Sequence, residues 1–273
     1  MHPKSKHSIK AVAFALFSSL TALPALAHDP VFGLGPHVLF KGGVEISPEI
    51  HTDKAGNNDT TELGLSLTYG ITGDWAAGIE IPYIDKSNAA GSSSGQGDLT
   101  LFTKYRFWRE DGPGVQQSMA VAFKLKTNTG DNDVSTNTTD GILGLTYGYE
   151  GRKWYRWSAL RYRFNDKNNA GLQRGNKILF DLVGGIRLKQ TGYKEPDTVW
   201  LIELNGESTQ NTELNGVEQI NSGGTEWFVS PGIFWTKRNF AIKAGMQIPV
   251  ASNLNGNQQK TDYRAKLILE WHL

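Results

Sequence analysis

The chain has 273 residues, with 28 Lys and Arg against 27 Asp and Glu, a formal net charge of +1, and no cysteine. That near-balance excludes the single-sign field by which proteins gather nucleic acid or another polyanion, and without cysteine there is neither a disulfide nor a lipoprotein anchor. The 31 Gly, 8 Trp, 9 Tyr and 12 Phe suit strands that face lipid on one side and water on the other.

Lys4, Lys6 and Lys10 precede the apolar run Ala11–Leu23, and Ala25-Leu26-Ala27 forms an A-x-A site. This predicts a secretory signal peptide over residues 1–27. The run is shorter than the ~20 residues that a bilayer-spanning helix needs. Cleavage after Ala27 makes His28 the new N-terminus. Residues 28–37 are interrupted by Gly and Pro, so we read them as a periplasmic N-terminal segment, not a strand, able to plug a barrel from below. Two readings of its histidines stand side by side. The amine and imidazole of His28 form a bidentate copper chelate with His37 as a further ligand, or both are incidental on a flexible terminus.

Residues 38–273 carry twelve period-2 segments. The first is expected over about 38–50, weakly patterned around Gly42-Gly43. The second is the cleanest: Leu63, Leu65, Leu67, Tyr69 and Ile71 share one face, and Glu62, Gly64, Ser66 and Thr68 the other. A Thr72-Gly73-Asp74 turn leads to Trp75, Ala77, Ile79, Ile81 and Tyr83. The fourth sets Leu99, Leu101, Tyr105 and Phe107 against Lys104 and Arg106, and the fifth Val121 and Phe123 against Lys124 and Lys126. Leu143, Leu145 and Tyr147 follow. Next come Leu160, Tyr162 and Phe164 against Arg161 and Arg163, and Ile178, Phe180, Leu182 and Ile186 against Asp181 and Arg187. The ninth sets Trp200, Ile202 and Leu204 against Glu203 and Glu207. The tenth and eleventh carry Val229, Ile233 and Trp235, then Phe240, Ile242, Met246 and Ile248. The twelfth runs to the last residue, with Leu267, Leu269, Trp271 and Leu273 against Lys266, Glu270 and His272.

Connections after even-numbered segments are short, and those after odd-numbered ones are longer and rich in Gly, Asn, Ser, Thr and Asp. The predicted fold is therefore all-β: a transmembrane antiparallel β-barrel of twelve strands, with short periplasmic turns and longer extracellular loops, in the outer membrane of a Gram-negative bacterium. It must close, because an open sheet edge has no hydrogen-bond partners in hydrocarbon. A soluble β-sandwich or lipocalin-like barrel also alternates. Against it stand aromatics at the ends of the apolar faces, such as Trp75, Tyr83, Trp235 and Trp271, and charges on the opposite face of nearly every strand, which a dry core rejects. The expected partners are outer-membrane lipid, a small solute and the barrel-assembly machinery. That machinery reads an amphipathic final strand, although such strands usually end in Phe or Trp and this one ends in Leu273.

Several motifs carry a resemblance. Gly95-Gln96-Gly97-Asp98-Leu99-Thr100-Leu101-Phe102-Thr103-Lys104-Tyr105-Arg106-Phe107 is similar to the G-x-G-D-x-x-L-x-x-K-Y-R-F signature of an outer-membrane transporter family labelled "meta-pathway of phenol degradation". The hairpin around Tyr69-Gly70-Ile71-Thr72-Gly73-Asp74-Trp75 and Glu80-Ile81-Pro82-Tyr83 resembles that family too, as do Glu203-Leu204-Asn205-Gly206-Glu207 and Gly245-Met246-Gln247-Ile248-Pro249. The resemblance spans about residues 62–273 and implies a channel or transporter, with hydrophobic or aromatic compounds as its cargo.

Inward charges segregate by strand. Glu45, Glu62, Glu80, Glu203, Glu207 and Glu270 form an acidic arc, and Lys104, Arg106, Lys124, Lys126, Arg161, Arg163 and Arg187 a basic one. Either the two walls orient a polar solute in a transverse field, or they pair and occlude the lumen; twelve strands lie between small filled barrels and broad porins. An occluded structural or adhesive barrel and a copper-associated protein remain as alternatives. An enzyme of the outer-membrane phospholipase kind is disfavoured, because no histidine stands beside a serine on a lipid-facing position. No cofactor is implied.

Overall fold

A computed structural model describes residues 29–189 and 195–273; the predicted signal peptide and His28 lie outside the described residues. Twelve long strands form the wall: β1 (Val44–Ala55), β2 (Asn58–Gly70), β3 (Trp75–Asn88), β4 (Thr100–Gly112), β5 (Val115–Lys126), β6 (Asp140–Gly151), β7 (Trp154–Phe164), β8 (Lys177–Arg187), β9 (Asp197–Thr209), β10 (Gly224–Lys237), β11 (Phe240–Leu254) and β12 (Tyr263–His272). Each pairs antiparallel with its neighbours in sequence, and β1 pairs with β12 from Glu45↔His272 to Lys54↔Tyr263, so the sheet has no free edge. Closure satisfies the backbone without water, the condition that hydrocarbon imposes.

Side chains alternate across this wall. Leu63, Leu143, Leu160 and Ile202 point outward and are exposed, whereas Asp181, Glu203 and Asn205 point inward and are buried. Aromatics mark both outer rims. Trp75, Tyr105, Trp154, Trp200 and Trp271 stand at the short-turn end, and Tyr83, Tyr162 and Phe164 at the long-loop end; all are exposed. This apolar belt between aromatic rims is an outer-membrane barrel's lipid-facing surface.

Two boundaries differ from the sequence expectation. The first strand begins at Val44, not Val38, because Gly42 takes a positive φ of 80° and Gly43 bonds back to the Phe40 carbonyl. Residues 29–39 lie inside the barrel, and Phe40, Lys41 and Gly42 form an exposed turn at its short-turn rim. The first long-end loop, expected over about 51–61, is instead ladder almost to its tip: β1 and β2 pair up to Ala55↔Asn58. Apolar alternation stops at the membrane surface, but backbone pairing continues through Thr52, Thr60 and Thr61, whose branched side chains suit a strand. Beyond the membrane, Gly91–Gln96 pairs with the upper part of β3, and Leu172–Gln173, Glu213–Leu214 and Val217–Glu218 form a small separate sheet.

Candidate functional site

Small inward residues make room for residues 29–39. Gly144, Gly148, Gly232 and Gly245 all face the lumen, and a Cβ on each would come within 2.7–3.2 Å of Leu34, Pro36, Val31 and Phe32 respectively. Val31 is 3% exposed and packs into a cluster of Tyr155, Trp157, Val183, Val199, Leu201, Phe234 and Ala241, with Phe32 alongside. Part of the interior of β7–β11 is thus an apolar cluster, on a face expected to carry charges on nearly every strand; Asp181, Glu203, Asn205 and Lys243 are buried on that same inner face. The inward apolar positions of β7–β11 read as interruptions of a polar face until the N-terminal segment covers them.

Polar contacts complete the seating. The Glu203 carboxylate accepts the backbone N–H of Val31 at 2.7 Å, Phe32 at 3.3 Å and Gly33 at 2.9 Å. The Thr146 hydroxyl donates to the Leu34 carbonyl at 2.8 Å. Asp29 pairs with Lys104 at 2.6 Å, and His37 Nε2 meets Glu150 at 2.5 Å. The segment is therefore tied to β4, β6 and β9. Buried with Glu150, His37 does not lie free in the periplasm, and the copper reading of His28 turns on a residue outside the described chain.

Most of the predicted lumen charges find partners nearby. Lys126 meets Asp98 at 2.9 Å and Asp140 at 3.2 Å, Arg161 meets Asp181 at 2.7 Å, and Arg163 reaches Asp140 at 4.0 Å. Arg106 pairs with Asp74 and Arg187 with Asp197, both at the short-turn end. On the acidic side, Glu270 pairs with Lys243, Glu45 with His272, and Glu207 with both Lys177 and Arg264. Lys124 pairs with Glu80, two strands away. Among the described residues Glu62 has no ion pair. The basic arc is thus neutralised chiefly by aspartates on adjacent strands and turns, not by the opposite arc. Those aspartates were individually visible in the sequence, but their pairing was not. Glu45, Glu270 and His272 bring three potential ligand atoms within 4.8 Å, but Lys243 already answers Glu270 there.

A space remains. On the side of β12 and β1–β6 lies a cavity of ≈ 310 Å³, bounded by the N-terminal segment and by Phe102, Lys124, Glu80, Ile142 and Lys266. β8, β9 and β10 contribute nothing to it. The segment packs against one half of the lumen and forms a wall of the cavity in the other.

Known proteins share this architecture. The family profile described as "Putative MetA-pathway of phenol degradation" matches residues 81–254. An outer-membrane channel of Pseudomonas putida F1 is similar in structure, with a TM-score of 0.67 at 16% identity, over 87% of this chain and 98% of that one. The NanC porin gives a TM-score of 0.50 at 11% identity, over 84% of this chain and all of that one. At such identities the likeness is one of fold. No curated protein matches the sequence.

Proposed function

The chain belongs to the family described as "Putative MetA-pathway of phenol degradation", and on that premise we propose that it is an outer-membrane channel for one small amphiphilic solute at a time. The observation that carries this reading is the ≈ 310 Å³ cavity beside the seated N-terminal segment. Its size is at the small end of ligand sites, too small for a broad aqueous pore and large enough for a single ring compound. Phe102 and Ile142 offer apolar contact, and Lys124, Glu80 and Lys266 offer charge. An aromatic compound with a polar group satisfies both halves of that lining, which reconciles the family's description with a charged lumen.

The placement of the histidines supports a channel over a lipid hydrolase. His37 pairs with Glu150 inside the barrel, His272 pairs with Glu45, and His51 stands inward between Glu62 and Lys266 in the ladder. None of the three stands on the lipid face beside a serine.

The test is planar-bilayer conductance of the refolded mature chain. Small steps are expected, interrupted in a concentration-dependent way by an added small aromatic acid or alcohol. Folded protein, verified by its heat-modifiable gel shift, that neither conducts nor admits such solutes into liposomes would overturn the proposal and leave an occluded barrel.

A further inference from the structure

The lipid-facing wall of β7–β10 carries a feature that the channel does not use. Outward positions of β7 read Trp154, Arg156, Ser158, Leu160 and Tyr162, and Arg156 is exposed. The ladder places Trp154, Ile186 and Trp200 in one row, and Arg156, Gly184 and Ile202 in the next row toward the membrane centre. Among the described residues, Arg156 is the one charged side chain turned outward between the aromatic rims. Its contact is the Tyr149 ring, 5.5 Å from the guanidinium carbon; it has no carboxylate partner among the described residues. A cation on the lipid face of a barrel is disfavoured by an amount that grows with depth, so an unpaired one inside the rim calls for an anion from outside the chain.

Directly above it the wall is dented. A depression of ≈ 580 Å³ is lined by Tyr147, Leu182, Gly184, Ile202, Leu204 and Val229, with Arg156 at its edge. Gly184 contributes to it: a Cβ there would meet nothing closer than Ile202 Cγ2 at 3.8 Å, an ordinary van der Waals contact, so the missing side chain leaves room that no neighbour fills tightly. The dent runs from the Arg156 row toward the membrane centre, and Arg156 lies at the short-turn end, the periplasmic side of such barrels.

We propose that Arg156 and this dent form a seat for one phospholipid of the periplasmic leaflet, with the phosphate on the guanidinium and an acyl chain along the dent. A guanidinium presents a planar fork of donors matched to phosphate oxygens, and the polarity fits one leaflet alone: head at the periplasmic rim, tail toward the centre.

The test uses the full mature chain, refolded in detergent, titrated with phosphatidylglycerol and read by native mass spectrometry. One adduct should outlast the others on collisional activation. Its retention should fall about tenfold in Arg156→Gln and similarly in Gly184→Leu, which fills the dent but keeps the charge. Arg156→Lys should keep part of it. Equal retention by the wild type and all three variants would mean annular lipid only and would overturn the proposal. Loss in just one of Arg156→Gln and Gly184→Leu would overturn the combined seat. The gel shift confirms that each variant has folded before it is compared.

Discussion

The Glu203 carboxylate accepts the Val31 N–H at 2.7 Å across 172 residues of sequence, and this contact holds the N-terminal segment in the lumen. Because the same carboxylate also takes the N–H of Phe32 and Gly33, Glu203→Ala orphans three backbone donors, at about 1–3 kcal/mol for each one left buried. The expected outcome is release of the segment. The chain has no cysteine, so Val31→Cys supplies a single thiol. Its labelling by a membrane-impermeant maleimide should accelerate at least about tenfold when Glu203→Ala is added. Equal labelling rates would mean that the apolar cluster alone retains the segment.

Lys124 and Arg106 belong to the same predicted basic arc but should behave differently on charge reversal. Lys124 lines the cavity and pairs with Glu80, so Lys124→Glu should move the reversal potential in a salt gradient toward cation selectivity. Arg106 is 6% exposed, and its guanidinium donates to Asp74 and to the Gly73 carbonyl at 2.7 Å. It pins a periplasmic turn, and Arg106→Glu should lower the yield of folded barrel without changing selectivity. A conducting Lys124→Glu protein with an unchanged reversal potential would remove this cavity from the ion path.

Asp98 gathers the external loop between β5 and β6. Its carboxylate accepts from Gly130 N–H at 2.9 Å, Ser135 Oγ at 2.7 Å and Lys126 Nζ at 2.9 Å. Burial alone would raise its pKa, but the Ser135 hydroxyl, the Lys126 ammonium and the Gly130 N–H together hold it below the ordinary carboxylate value. A carboxyl held low when folded stabilises the loop fully above its ordinary pKa, and that contribution is lost as pH falls through the depressed value. A fluorophore on Asn132→Cys should therefore gain mobility, read as lower anisotropy, in acid. With Asp98→Asn added, the label should be mobile at every pH. Acid-insensitive anisotropy in the parent would count against the clamp.

Glycines on the outer wall are not equivalent. A Cβ on Gly206 would fall 2.7 Å from the Trp227 ring, which lies over it, while the same addition at Gly184 meets only Ile202 at an unstrained 3.8 Å. Overpacking of this kind costs about 1–3 kcal/mol. In urea unfolding from lipid vesicles, Gly206→Val should lower the midpoint and Gly184→Ala should leave it nearly unchanged. A Gly206→Val midpoint equal to that of the parent would show that Trp227 swings aside freely.

Strand number, strand facing and the closed barrel were legible in the residues because lipid imposes a local rule. Side chains that meet hydrocarbon are predominantly apolar, and successive residues project to opposite faces, so Leu63, Leu65 and Leu67 or Trp200, Ile202 and Leu204 declare their side without reference to any neighbour. No comparable rule governs the lumen. Whether Arg161 answers Asp181 or a distant glutamate depends on ladder register, and whether the inward Gly144, Gly232 and Gly245 are gaps or seats depends on where Leu34, Val31 and Phe32 arrive. The path of residues 29–43, the apolar cluster around Val31 and the off-centre cavity were decided by tertiary structure, since each arises from groups far apart in the chain that meet only once the sheet has closed around them.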